Sequence, residues 1–235
     1  MSDAALICYG VVDAADVPKG RAGLRGALLR PVSSGSLALL TSALAADAFA
    51  GASQTQVEEA AQDFHAVINA WSAQRNILPM RFGTLFDGEA AALRYLARQG
   101  GALTAAFAGI SGMQEWRVAV RHAGGEKPAP AKAQPGYLRA LQAKRRQEKQ
   151  EQDDVTRQLE ALAGVLQDHG AVLCDCVLDA KGSGTLTTLW PRGQAGAFMH
   201  HMSTYADQSG AISFDVFGPE APFTFAAQGL PAHAA

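Results

Sequence analysis

Ile77-Leu78-Pro79-Met80-Arg81-Phe82-Gly83-Thr84-Leu85-Phe86 is the stretch that decides the reading of this chain. It is an apolar run interrupted by a proline, an arginine and a glycine, which ordinary core strands do not carry. Residues 77–81 read as a short strand, and Gly83-Thr84 as a turn into a helix capped at Asp87. Proline gives up a ladder hydrogen bond, so Pro79 puts the strand at a sheet edge or beside a bulge. Arg81 sits between Met80 and Phe82, where an unpaired buried guanidinium would cost several kcal/mol. The favoured reading is a buried ion pair that ties two domains or orients the edge strand; contact with a partner is the alternative.

Upstream, residues 5–12 form a short apolar run, best read as a buried strand. Residues 28–33 and 37–42 flank Ser34-Gly35-Ser36 and predict a hairpin. Ser53 and Gln56 have the spacing of a capping box, and Val57, Ala61, Phe64, Ile68 and Trp71 follow at helical steps. Downstream, residues 87–99 predict a helix ended by Gly100-Gly101, after which Leu103, Phe107 and Ile110 resume a helical period. The first domain, 1–112, therefore reads β-β-β-α-β-α, with a small mixed sheet.

From Gln114 the period changes to two: Trp116, Val118 and Val120 alternate with Glu115, Arg117 and Ala119. The Gly/Pro-rich stretch 123–135 reads as an exposed loop. A helix over 136–169 places Leu138, Leu141, Val155, Leu159, Leu162 and Leu166 on one series whose centre is Arg145, Glu148 and Gln152. Three successive polar seam positions exclude a continuous coiled coil, so the apolar face serves two contacts and the middle stands in water. A strand around Cys174 and Cys176, a Lys181-Gly182-Ser183-Gly184 turn, a strand through Trp190, a helix over 193–205 and a strand over 211–217 follow. This β-α-β-β-α-β order is ferredoxin-like. The fold class is α+β in two domains, the second covering 113–235 and ending in a tail without regular structure that Phe223 and Phe225 pin to the domain surface.

Chemistry is sparse. The chain has 235 residues, 48% of them hydrophobic and 18% charged, with a formal net charge of −2; this excludes a disordered chain and does not favour a polyanion partner. No apolar run approaches the ~20 residues of a membrane span, and Met1-Ser2-Asp3 lacks the basic start of a secretory signal, so the expected location is the cytoplasm. Adjacent His200 and His201 point about 100° apart on a helix and read as structural. Cys174 and Cys176 read as small buried hydrophobes. Arg81-Phe82-Gly83-Thr84 and Gly182-Ser183-Gly184 lack the density and the lysine of a phosphate loop, and no nucleophile elbow is present. No catalytic residue, metal ligand or cofactor site is expected. The run with Lys144, Arg145, Arg146 and Lys149 reads as a solvated face.

The stretch 77–86 resembles the LP-x-RFG-T-x-F signature of the gas vesicle protein family GvpL/GvpF. The opening strand Leu6-Ile7-Cys8-Tyr9-Gly10-Val11-Val12, the helix start Gly136-Tyr137-Leu138-Arg139 and the ending Gly218-Pro219-Glu220-Ala221-Pro222-Phe223-Thr224-Phe225 fall in the family's order. The ending is similar to GPWPPYSF, with Glu220-Ala221 in place of Trp-Pro. The resemblance implies a ferredoxin-like C-terminal domain and a non-enzymatic accessory role, with the gas vesicle shell protein and other accessory proteins as partners. It points to Pro79, Arg81, Phe82, Tyr137, Arg139, Phe223 and Phe225 as partner-binding residues, and to neither nucleic acid nor membrane. The alternative class is a ferredoxin-like regulator that binds RNA or a small ligand.

Overall fold

The computed structural model describes residues 5–16, 20–45, 47–122, 137–172, 174–179, 183–210 and 212–229. In chain order the elements are β1 (Ala5–Asp13), a 3-10 turn (Leu24–Gly26), β2 (Leu29–Ser34), β3 (Leu37–Leu44), α1 (Gln54–Ser72), β4 (Leu78–Pro79), β5 (Leu85–Phe86) and α2 (Gly88–Ile110). Then come β6 (Met113–His122), α3 (Tyr137–Asp168), β7 (Cys174–Leu178), β8 (Gly184–Pro191), α4 (Ala195–Gln208), β9 (Ile212–Glu220) and α5 (Phe223–Gly229). The chain forms two compact units. One runs to Glu115 and takes the chain back from Pro219; the other is Trp116–Gly218. The tail expected on the ferredoxin-like domain thus belongs to the first unit, and it carries a helix.

In the first unit the sheet order is β2-β3-β1-β4, with β5 also paired to β1. Every pairing is antiparallel, so the sheet expected as mixed is antiparallel throughout. Tyr9 stacks on Phe64 of α1 at 4.9 Å, whereas the thiol of Cys8 acts on Tyr95 of α2. Neighbouring residues of a strand point to opposite faces, so the sheet has a helix on each side. This explains why β1 and β3 are buried almost continuously rather than alternately. Ser53 and Gln56 form both bonds of the predicted capping box. Gly100-Gly101 does not end a helix: α2 runs through it, because Leu96, Leu103, Phe107 and Ile110 remain in register on the buried face. Asp87 precedes α2 but its side chain makes no capping bond.

The second unit has sheet order β7-β8-β6-β9, the ferredoxin-like arrangement. Its core joins Trp116, Val118 and Val120 to Val155, Leu159, Leu162 and Leu166 of α3 and to Phe198 and Met202 of α4. No residue from 138 to 154 is buried, so the first half of α3 stands in water, as its polar seam predicts. The apolar contact expected at Leu138 is not seen among the described residues. Cys176 is exposed, contrary to the buried role expected for it, because β7 is a terminal strand. The side chain of Cys174 and the loop 123–135 lie outside the described residues.

Candidate functional site

The run 77–86 is not one strand but two short ones that bracket a bulge in β1. The register of β1 against β3 shifts between Cys8 and Gly10. Opposite this shift Pro79 pairs with Gly10, the Met80 N–H donates to the Tyr9 carbonyl (2.9 Å), and the Cys8 N–H donates to the Thr84 carbonyl (2.9 Å). Pro79 is therefore both at an edge and beside a bulge. Gly10 is required by the close approach: a Cβ there would lie 2.5 Å from the Leu78 carbonyl oxygen.

Between the two strands Arg81-Phe82-Gly83-Thr84 is a closed turn. The Thr84 N–H and hydroxyl both donate to the Arg81 carbonyl, at 3.1 and 2.8 Å, and Gly83 has φ +87°. Phe82 points inward and meets Phe64 and Phe49 edge-on, with ring centroids 5.4 and 5.8 Å away. Arg25, at φ 54°, lays its guanidinium over Phe49 at 5.0 Å. Arg81 points outward: it is exposed and has no ion pair among the described residues, which overturns the buried-pair reading. The turn satisfies itself through backbone and Thr84, so no buried carboxylate has to be supplied for the arginine.

The tail docks on the same unit. The Ala221 N–H donates to Asn69 Oδ1 (2.9 Å), a bond that a proline at this position could not make. Glu115 is almost fully buried and accepts from the Thr224 N–H (2.7 Å) and hydroxyl (2.8 Å). Phe223 packs edge-on against His65, and α5 touches both β4 and α2. The two motifs of the family resemblance, far apart in sequence, therefore meet at β4.

The sites named from sequence divide accordingly. Pro79 and Phe225 (7% exposed) are buried, Phe82 and Phe223 are half-buried, and Arg81 and Arg139 are exposed. Arg139 belongs to the second unit, and Pro79, Arg81, Phe82, Phe223 and Phe225 to the first. The Tyr137 side chain lies outside the described residues. Sequence reasoning missed Asn69 and Glu115, which look like solvent-facing positions of a helix and a strand, and Phe49 with Arg25, which lie in a loop and in the 3-10 turn.

Burial pushes the Cys8 thiol up to about 12, only partly offset by a backbone hydrogen bond with Gly10, so it stays protonated at neutral pH. Burial and the nearby Cys8 likewise raise Tyr95. In the second unit the rings of His169 and His201 meet at a tilt of 50° with centroids 4.2 Å apart, a pairing that sequence spacing did not reveal. Desolvation first, then His169 and His200, lower His201 below its ordinary value. Among the described residues no group of three or more His, Cys, Asp or Glu could hold a metal ion, and no helix is long and apolar enough to cross a membrane.

A family model described as gas vesicle synthesis protein GvpL/GvpF matches residues 5–227. The crystal structure of gas vesicle protein GvpF from Anabaena sp. PCC7120 is similar over 98% of each chain, with 16% identity and a TM-score of 0.67. That of GvpF from Microcystis aeruginosa is similar over 95% of this chain and 99% of its own, with 18% identity and a TM-score of 0.65. No curated protein sequence matches the chain.

Proposed function

The chain belongs to the gas vesicle synthesis family GvpL/GvpF and has an accessory role in gas vesicles; from this premise we propose that it is a non-enzymatic assembly protein that binds shell-protein subunits. It acts in the cytoplasm, supports their assembly and stays as a minor component of the vesicle; other accessory proteins are further partners. The observation that carries the reading is the two-sided signature turn. Its inner side (Pro79, Met80, Phe82, Thr84) builds the β1 bulge and the core, whereas its outer side presents Arg81 and the half-exposed Leu85 to solvent. A cationic tip beside apolar surface is a binding feature, since Arg is over-represented where interfaces concentrate their energy. Phe223 and Phe225 act indirectly, by seating α5 against β4.

The test is co-expression with the shell protein and co-purification at low and high salt. Apolar capture predicts a soluble complex retained at both, because high salt does not weaken apolar burial. A complex lost steeply with salt, or replaced by bound RNA, would favour the polyanion-binding regulator. Shell protein that aggregates while this chain stays soluble and alone would overturn direct capture.

A further inference from the structure

The first half of α3 carries the same series as the second half but does not use it for packing. Leu138, Leu141, Arg145, Glu148 and Gln152 lead into Val155, Leu159, Leu162 and Leu166, and only the last four enter the core. Leu138 is 71% exposed, and Arg145, Glu148 and Gln152 are exposed with it. Arg145 has no ion pair among the described residues. Glu148 meets Lys144, one turn back, at 3.6 Å, and its side chain stays 57% exposed.

From Leu138 to Val155 the spacing is 3-4-3-4-3, which reads the same in both directions. A second copy of the helix, laid antiparallel about a two-fold axis between residues 146 and 147, therefore sets series against series. Leu138 then faces Val155, Leu141 faces Gln152 and Arg145 faces Glu148, each pair occurring twice. Both charged layers join opposite signs. Moving the register by one heptad sets Leu138 against Glu148 and Leu141 against Arg145, or Arg145 against Val155. A parallel pair sets Arg145 on Arg145 and Glu148 on Glu148. Like charges that face each other repel, and polar seam positions fix register and orientation, so the antiparallel register alone satisfies this sequence.

We propose that the exposed half of α3 is a two-fold pairing surface for a second copy of this chain, held by reciprocal Arg145–Glu148 layers. The inference does not depend on the shell-binding reading. In a two-fold interface the same patch serves both partners and must complement itself, which this series does. The overlap, residues 138–154, is about 26 Å long at ~1.5 Å per residue. A strip of that length and ~10 Å width falls well short of the ~800 Å² per partner of a stable interface. The pair is therefore a weak one, dominated by exposed charges and sensitive to salt. It is a short polar contact and not the continuous coiled coil that the seam excludes.

Sedimentation velocity of the full chain, from about 10 to about 500 µM at low and high salt, is the test. Wild type should associate reversibly toward twice the mass of one chain at low salt, and about fivefold or more weakly at high salt. Arg145→Glu or Glu148→Arg alone puts like charges into both layers and should weaken association about tenfold or more. The double variant Arg145→Glu/Glu148→Arg restores opposite signs and should return to within about threefold of wild type, and an equimolar mixture of the two single variants should form a heterodimer. Urea midpoints equal to that of wild type establish that each variant is folded. A wild-type chain that stays monomeric at the highest concentration and low salt overturns the pairing; loss of co-expressed shell protein by Arg145→Glu would in that case hand this face to the shell subunit. Association that the single reversals leave unchanged, or that the double reversal does not restore, overturns it as well.

Discussion

Glu115 and Thr224, 109 positions apart, are joined by two hydrogen bonds: one carboxylate oxygen takes the Thr224 N–H and the other its hydroxyl. The carboxylate thereby caps the first turn of α5 and fixes the tail to the first unit. Thr224→Val keeps the shape and removes the hydroxyl donor to a buried charge. The expected loss is about 1.5–3 kcal/mol, read as a lower urea midpoint, with Thr224→Ser close to wild type.

Gly83 and Gly100 are predicted to behave in opposite ways. Gly83 closes the signature turn at φ +87°, and an alanine there should cost roughly 1–2 kcal/mol. Gly100 lies inside α2 with open space where a Cβ would point, so Gly100→Ala should stabilise by ~1 kcal/mol. Chemical denaturation of the two variants measures both signs.

Tyr9 is fully buried; its hydroxyl accepts the Leu24 N–H (2.6 Å) and shares a hydrogen bond with Ser42 (2.9 Å). Tyr9→Phe leaves a buried backbone donor without its partner and should cost about 1–3 kcal/mol. Thermal unfolding would register the loss.

His201 gives stability a pH dependence. Its folded value is lowered, so the unfolded chain binds the proton more readily. The contribution is fully present above the unfolded value of about 6.5 and is lost as pH falls below it toward the folded value. His169→Gln removes one of the charges that lowers His201 and should flatten the decline between pH 7 and 5. Denaturant midpoints across that range, for wild type and variant, provide the comparison.

What was legible in the sequence was local. The Ser53/Gln56 capping box, the Gly35 hairpin and the alternation of Trp116, Val118 and Val120 are short-range signals, and each specifies its element almost alone. Pro79 announced an edge because proline chemistry admits little else. Gly100-Gly101 misled because packing of Leu96, Leu103 and Phe107 outweighs the low helix propensity of two glycines. Arg81 misled for a related reason: an apolar run does not disclose that its arginine occupies a turn. The return of the tail was not readable, since its holders Asn69 and Glu115 belong to patterns that look solvent-facing, and only tertiary folding brings them to Ala221 and Thr224. The His169–His201 contact is likewise a product of α3 meeting α4.

The most direct test of the shell-binding account is the amount of co-expressed shell protein retained by Arg81→Ala relative to wild type. Arg81 is exposed and has no ion pair among the described residues, so the variant is expected to fold with an unchanged midpoint. The account predicts about a tenfold or greater loss of retained shell protein, the scale of an arginine at the centre of an interface. A folded Arg81→Ala that retains as much shell protein as wild type would contradict it and leave the turn a purely structural role.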